Sequence, residues 1–143
     1  MSKEVYLKQI QGATFAVKGN TGHWITIDNT VESGGSAGAP SSKELVLYAL
    51  AGCTSTDVVE ILRKKRAPMT DYEVHIKASE REEHPRIFTT VHIEYIIYGN
   101  GVKKEDVERA IELSITKYCS VSAILGASVT ITHSYRIEPS RKS

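Results

Sequence analysis

Hydrophobic and polar positions change period several times along this chain, and each change marks an element. Residues 3–18 and 22–29 read as strand-forming segments separated by Gly19-Asn20-Thr21-Gly22, a hairpin signal, and Trp24, Ile25, Thr26 and Ile27 are good strand formers. An opening β-meander is predicted. Ser33-Gly34-Gly35-Ser36-Ala37-Gly38-Ala39-Pro40 holds only small residues and a proline, cannot sustain a regular element, and reads as a flexible connector or pocket lid.

Beyond Pro40 the period becomes helical. Ser41 followed by Glu44 has the form of a capping box, which gives Glu44 a structural task, and Leu45 opens a long helix. Arg63, Lys64, Lys65 and Arg66 stand at its far end, where the dipole favours cations, and Pro68 closes it. From Leu45 to Thr56 there is no charge, and the helix is apolar around most of its circumference. That run is shorter than the ~20 residues of a membrane span, so the expectation is a helix buried on nearly all sides. About 25 residues at ~1.5 Å each give a helix roughly 37 Å long, as long as a small domain is wide. A second subunit is therefore expected to cover it, with the helix near a two-fold axis.

Strict alternation returns in Tyr72–Ala78, with Val74, Ile76 and Ala78 on one face, and again over residues 86–98, with Ile87, Val91, Ile93, Tyr95 and Ile97 together. Glu80-Arg81-Glu82-Glu83-His84-Pro85 is the turn between them. Residues 104–118 predict an amphipathic helix with Val107, Ala110, Ile111, Ser114 and Tyr118 inward. A short helix follows over 120–126, closed by Gly126, and a last strand aligns Val129, Ile131, His133, Tyr135 and Ile137. The order βββ-α-ββ-α-α-β segregates strands from helices, which makes the class α+β with mainly antiparallel sheet.

Composition narrows the function. A chain of 143 residues is expected to form one domain, residues 1–143, around its own core. A formal charge of +1 gives no field for gripping a phosphate backbone, so nucleic acid is not expected. A charged content of 24% is ordinary and argues against disorder. The first residues lack the apolar run of a signal peptide, which predicts a cytoplasmic protein with no membrane partner. Cytoplasmic thiols are kept reduced, so the two cysteines, Cys53 and Cys119, read as buried hydrophobes or redox-active groups rather than a permanent cross-link.

Cys53 lies mid-helix, beside Gly52 and ahead of Thr54, Ser55, Thr56 and Asp57, the composition of a polar notch cut into an apolar helix. A lone cysteine there fits packing as readily as chemistry. It is too far from the helix start for help from the dipole, and burial and Asp57 both oppose its ionisation. Cys119, at a predicted helix start with Lys117 near, is better placed electrostatically. The histidines, His23, His75, His84, His92 and His133, make no close ligand spacing with cysteine; no metal and no cofactor are expected. His133 reads as a hydrogen-bonded core or interface residue. The Gly34–Gly38 stretch lacks phosphate-loop spacing.

Together these residues resemble the OsmC/Ohr family of thiol-dependent hydroperoxide reductases, and within it the YhfA-like branch. The resemblance covers nearly the whole chain. It is carried by Pro40-Ser41-Ser42-Lys43-Glu44-Leu45-Val46-Leu47, Ala51-Gly52-Cys53 with Asp57-Val58-Val59, Glu80-Arg81-Glu82-Glu83 with Pro85-Arg86, Lys117-Tyr118-Cys119-Ser120-Val121, and Ile131-Thr132-His133-Ser134-Tyr135.

It implies an intertwined homodimer of α+β subunits with a long central helix flanked by sheets. It also implies reduction of organic hydroperoxides, and of hydrogen peroxide, in oxidative stress defence, with Cys53 as the peroxidatic cysteine and Cys119 as the resolving one. A dithiol, of lipoyl type in the family, would reduce the resulting disulfide. Two departures stand out. The family's activating arginine has no counterpart before Arg63, and Lys43 stands where its glutamate would be, with Glu44 one position away. Lys18, Arg81, Arg86 or a residue of the second subunit are the candidate substitutes, with Glu44 and Asp57 as further supporting residues. The alternative is a weakly catalytic or non-catalytic dimer of the same fold that binds a small molecule or senses redox state.

Overall fold

The computed structural model describes residues Met1–Arg141. Packing divides the chain into two compact units, Met1–Leu47 and the remainder from Tyr48, with the boundary inside the long helix.

In the first unit, β1 (Tyr6–Gln11), β2 (Thr14–Lys18) and β3 (Trp24–Ile27) form an antiparallel meander with β2 in the centre. The segment 3–18 is two strands. Gly12 turns between them at φ +54°, a conformation that costs glycine little. All six residues of β1 are exposed, and on β3 Trp24 and Ile25 are half exposed.

The Ser33–Pro40 stretch is not the flexible connector expected from its composition. Asp28, almost fully buried, accepts hydrogen bonds from the backbone N–H groups of Asn29, Ser36 and Gly38 at 2.8–2.9 Å and from the Thr14 hydroxyl at 2.8 Å. Ala13 N–H reaches the Gly34 carbonyl at 2.8 Å, and Asp28 N–H the Pro40 carbonyl at 3.1 Å. The glycines permit close approach: a Cβ on Gly35 would stand 2.2 Å from the Asn29 carbonyl oxygen and 2.6 Å from the Asp28 carboxylate. One buried carboxylate thus collects the loop's backbone donors and fixes it.

The long helix α1 (Ser42–Lys64) begins where expected, with Ser41 Oγ accepting from Glu44 N–H at 3.2 Å. Within the chain it is buried only along one stripe, Leu50, Thr54, Val58 and Leu62, and not on nearly all sides. Tyr48 is 55% exposed. Its apolar stretch also runs past the uncharged segment, because only isolated charges interrupt it after Thr56. By length and composition alone the helix could cross a membrane. Its buried stripe packs within the second unit, where Thr54 is bonded to Tyr95 and Ser55 to Tyr72 of the sheet.

The second sheet pairs β4 (Asp71–Glu80), β5 (Phe88–Tyr98) and β6 (Thr130–Glu138), in that order. Strands β4 and β5 are an antiparallel hairpin, but β5 and β6 run parallel, Thr90 opposite Thr130 through Tyr98 opposite Glu138. A parallel partner requires a crossover, and the helical segments 104–125 supply it. Val91, Ile93, Tyr95, Ile96 and Ile97 of this central strand are buried, whereas Ile87 precedes the strand and is exposed. His133 shares the row expected for it, opposite Ile93, but is exposed and not a core histidine.

The crossover holds α2 (Lys104–Leu113), a π-helical turn (Ser114–Tyr118) and α3 (Ser120–Leu125). The region read as one amphipathic helix to 118 therefore changes winding at Ser114. Ser114 stays buried with Val107, Ala110 and Ile111, but the wider turn swings Tyr118 out until half of it is exposed.

Candidate functional site

Both cysteines lie in the second unit. Cys53 sits half-buried in the middle of α1, and Cys119 is buried at the junction between the π turn and α3. A Cβ on Gly52 would meet nothing within 4 Å, so the helix surface beside Cys53 is open as its sequence neighbours indicate. Cys119 is fixed through its backbone, whose N–H donates to the Ser114 carbonyl at 2.7 Å, the five-residue bond that defines a π turn. Its Sγ caps α3 by accepting from Ser122 N–H at 3.4 Å.

These placements bring the two thiols, 66 positions apart in sequence, near enough for Cys53 to influence the ionisation of Cys119. Both are free. Burial pushes the Cys119 thiol up from its ordinary value; bonds from Ser122 oppose this, and hydrogen bonding and charge interaction with Cys53 reinforce it. The expectation that a helix start would favour ionisation of Cys119 is thus reversed, since burial outweighs the single turn of amide donors. Lys117 does not relieve it, as its ammonium lies over the Tyr118 ring, 5.2 Å from the centroid.

A chain of hydroxyl groups links β5, α1 and the π turn. Tyr95 Oη is 2.6 Å from Thr54 Oγ1, Thr54 Oγ1 is 2.9 Å from Ser114 Oγ, and Ser114 Oγ donates to Asp57 Oδ2 at 2.9 Å. Tyr95, Thr54 and Ser114 are fully buried. Burial pushes the Tyr95 hydroxyl up to about 12, against the Thr54 bond, and the charges of Cys119 and Asp57 add to the rise. Asp57, one turn beyond Cys53, faces a largely apolar cleft of about 420 Å³ that Ile61, Lys64, Leu113 and Tyr118 help to line.

The other expected residues have separate engagements. Arg81 Nε donates to the Pro85 carbonyl at 2.5 Å and Arg86 Nε to the Glu82 carbonyl at 3.1 Å, so both guanidinium groups brace the β4–β5 turn. In the first unit, the Lys18 ammonium stands over the Trp24 ring at 5.0 Å, and Glu44 occupies the first turn of α1. The structure brings together Cys53, Cys119 and, through Ser114, Asp57. Thr54 was visible in sequence as one of several hydroxyls in the notch. Ser114 and Tyr95 were visible only as members of amphipathic faces, and a hydroxyl at each inward position was the available signal.

Among the described residues no cluster of three or more His, Cys, Asp or Glu side chains could hold a metal ion. A reducible, oxidisable pair of sulfurs is the chemistry that this donor set offers.

Comparison with known proteins places this geometry. The family described as OsmC-like protein matches residues 34–134. The chain is 42% identical over 133 residues to protein YhfA of Escherichia coli K12, covering 92% of this chain and 95% of that one. A hypothetical protein from Aquifex aeolicus VF5 superimposes with a TM-score of 0.86 at 33% identity, covering 99% of each chain. An organic hydroperoxide resistance protein OsmC from Legionella pneumophila has the same fold, with a TM-score of 0.70 at 15% identity over 94% of this chain and 96% of that one. With the family model matching residues 34–134 and a relative 42% identical over 92% of the chain, the chain belongs to the OsmC-like family.

Proposed function

We propose that this protein is a thiol-dependent hydroperoxide reductase working through Cys53 and Cys119. The Cys53 thiolate attacks the peroxide, the O–O bond breaks, and the alkoxide leaves as an alcohol after taking a proton. Cys53 is left as a sulfenic acid. The Cys119 sulfur then attacks the Cys53 sulfur, forming the disulfide and releasing water. A dithiol of lipoyl type restores both thiols by exchange.

The observation that carries this reading is the pair of free cysteines, Cys53 half-buried in the middle of α1 and Cys119 buried at the start of α3, near enough for Cys53 to influence Cys119. The likeness in fold to a protein named for organic hydroperoxide resistance supports it. The working form is proposed to be a cytoplasmic homodimer, since apolar residues on both units lie exposed.

The test is consumption of cumene hydroperoxide with dihydrolipoamide as reductant. Cys53→Ser should lower the rate by a factor of roughly 100 or more, and activity that survives the substitution overturns the proposal. A second reading, a redox-sensing dimer with little turnover, is favoured by one observation: Arg81 and Arg86 are occupied by turn carbonyls and Lys18 by Trp24. It predicts that the disulfide forms with peroxide while multiple turnovers stay slow.

A further inference from the structure

We propose that Ser114 is the positioning residue for Cys119: its hydroxyl is fastened to the stretch of α1 that carries Cys53 and its carbonyl to the Cys119 amide, so that it sets how readily the two sulfurs join. The proposal rests on the thiol-pair reading above and adds to it the residue that holds the second thiol in place for the first.

Ser114 brings a hydroxyl to an inward row otherwise made of Val107, Ala110 and Ile111, and it is fully buried. A hydroxyl at such a position costs stability unless it is bonded. Both of its bonds go to α1. It donates to Asp57 Oδ2 at 2.9 Å, and since that uses its one proton, Thr54 Oγ1 at 2.9 Å must be the donor of the second bond. Thr54 then accepts from Tyr95 Oη at 2.6 Å, which ties β5 to the same point. Thr54 follows Cys53 directly and Asp57 stands one helical turn beyond it, so the hydroxyl of Ser114 grips α1 beside the thiol.

The same residue reaches the second thiol through the main chain. The Ser114 carbonyl accepts from the Cys119 N–H at 2.7 Å, and Cys119 Sγ accepts from the Ser122 N–H at 3.4 Å, which fixes the sulfur against α3. The Lys65–Asp106 ion pair at 3.5 Å also spans from α1 to the crossover, but it involves the far end of α1 and the first turn of α2. Ser114 is the tie that adjoins both cysteines in the chain of bonds.

The step that this placement serves balances. The Cys119 sulfur attacks the sulfur of the Cys53 sulfenic acid, the S–S bond forms and the S–O bond breaks. The Cys119 sulfur is oxidised and the sulfenic sulfur reduced, and the Cys119 thiol proton leaves with the departing hydroxide as water. Cys119 takes no part in the earlier attack of Cys53 on the peroxide. A residue that positions Cys119 therefore affects the second step and spares the first.

Reduced full-length protein is mixed with one equivalent of cumene hydroperoxide and quenched over time with dimedone and iodoacetamide; mass spectrometry then separates loss of the Cys53 thiol from closure of the disulfide. Ser114→Ala removes the hydroxyl and leaves the carbonyl. It should keep the first step within about twofold, slow closure roughly tenfold or more, and leave the sulfenic acid for dimedone to trap. In a glutathione redox buffer its Cys53–Cys119 disulfide should become easier to reduce, by about 30 mV for each tenfold loss of the disulfide's equilibrium constant. Asp57→Ala and Asp57→Asn both remove a charge, but only Asp57→Asn keeps an acceptor for the Ser114 hydroxyl, so closure should slow in the first and be largely retained in the second. That comparison, at a half-buried position, carries the test if Ser114→Ala does not fold. Closure in Ser114→Ala at the original rate with an unshifted potential overturns the proposal, as does equal closure in the two Asp57 variants. An equal loss in both steps that follows a lowered Tm overturns it too, since that is the mark of a fold merely weakened. An unaltered protein that forms no Cys53–Cys119 disulfide overturns the thiol-pair reading itself.

Discussion

Asp28 is the residue with the most concentrated local role. Backbone donors of Ser36 and Gly38, with those of Asn29 and the Thr14 hydroxyl, hold its carboxyl well below the usual carboxylate range, against the opposing effect of its own burial. Because the folded value lies below the unfolded one, the stabilisation is complete above about pH 4 to 5 and is lost as pH falls further towards the folded value. Asp28→Asn removes the charge that four donors converge on. It should lower the Tm by several degrees at pH 7, and the gap from the unaltered protein should narrow as both are taken from pH 5 to pH 2.5 in a thermal melt. A gap independent of pH would contradict this account. The glycine-rich loop looked flexible because composition records what a backbone can do and not which carboxylate collects its amides. Asp28 is five residues before that loop, and nothing local in sequence links the two. The cysteines were a different case: Cys53 was legible from its polar neighbours on an apolar helix, whereas the thiol of Cys119 faces a balance between burial and amide donors that only packing decides.

At the scale of elements, the π turn Ser114–Tyr118 sets the site. A π turn holds one more residue than the α-helical turn it replaces, and here the extra residue sets where Cys119 leaves the helical path while Ser114 keeps its place in the buried row of α2. Removing the exposed Lys117 should let the segment rewind as α-helix and rotate Cys119 by about 100°. The expected result is unchanged far-UV circular dichroism with loss of the Cys53–Cys119 disulfide after peroxide treatment. Disulfide formation at the original rate would show that the turn has no such role. The order of elements was legible from period alone, including the capping box at Ser41 and the two strands that became β4 and β5. The π turn was not, because Val107, Ala110, Ile111 and Ser114 satisfy an ordinary helical face and the change of winding starts only after them. The direction of β6 was equally hidden: alternation reports which residues share a face and is silent on which way the strand runs.

For the whole molecule, the exposed apolar residues are the main open account. On the first unit Leu7, Ile10, Trp24 and Ile25 are at least half exposed, and on the second Tyr48, Tyr118 and Ile124 are. Exposed apolar residues on each unit are what the proposed second copy would cover. Sedimentation at micromolar concentration should therefore give twice the 15.8 kDa mass of the chain, and a monomeric mass would refute the dimer. The parallel seam between β5 and β6 bears on how such a molecule is made. Strand β5 has its antiparallel neighbour as soon as residue 98 is synthesised, but the partner for its other edge arrives only with residues 130–138. Until then the most apolar strand of the second unit presents a bare edge of unpaired amides and carbonyls, the kind of edge that recruits strands from other chains. A chain cut short before Thr130 would keep both cysteines and the entire hydroxyl chain, yet it would be released with that edge open. Its fate would be decided by aggregation before any sulfur chemistry.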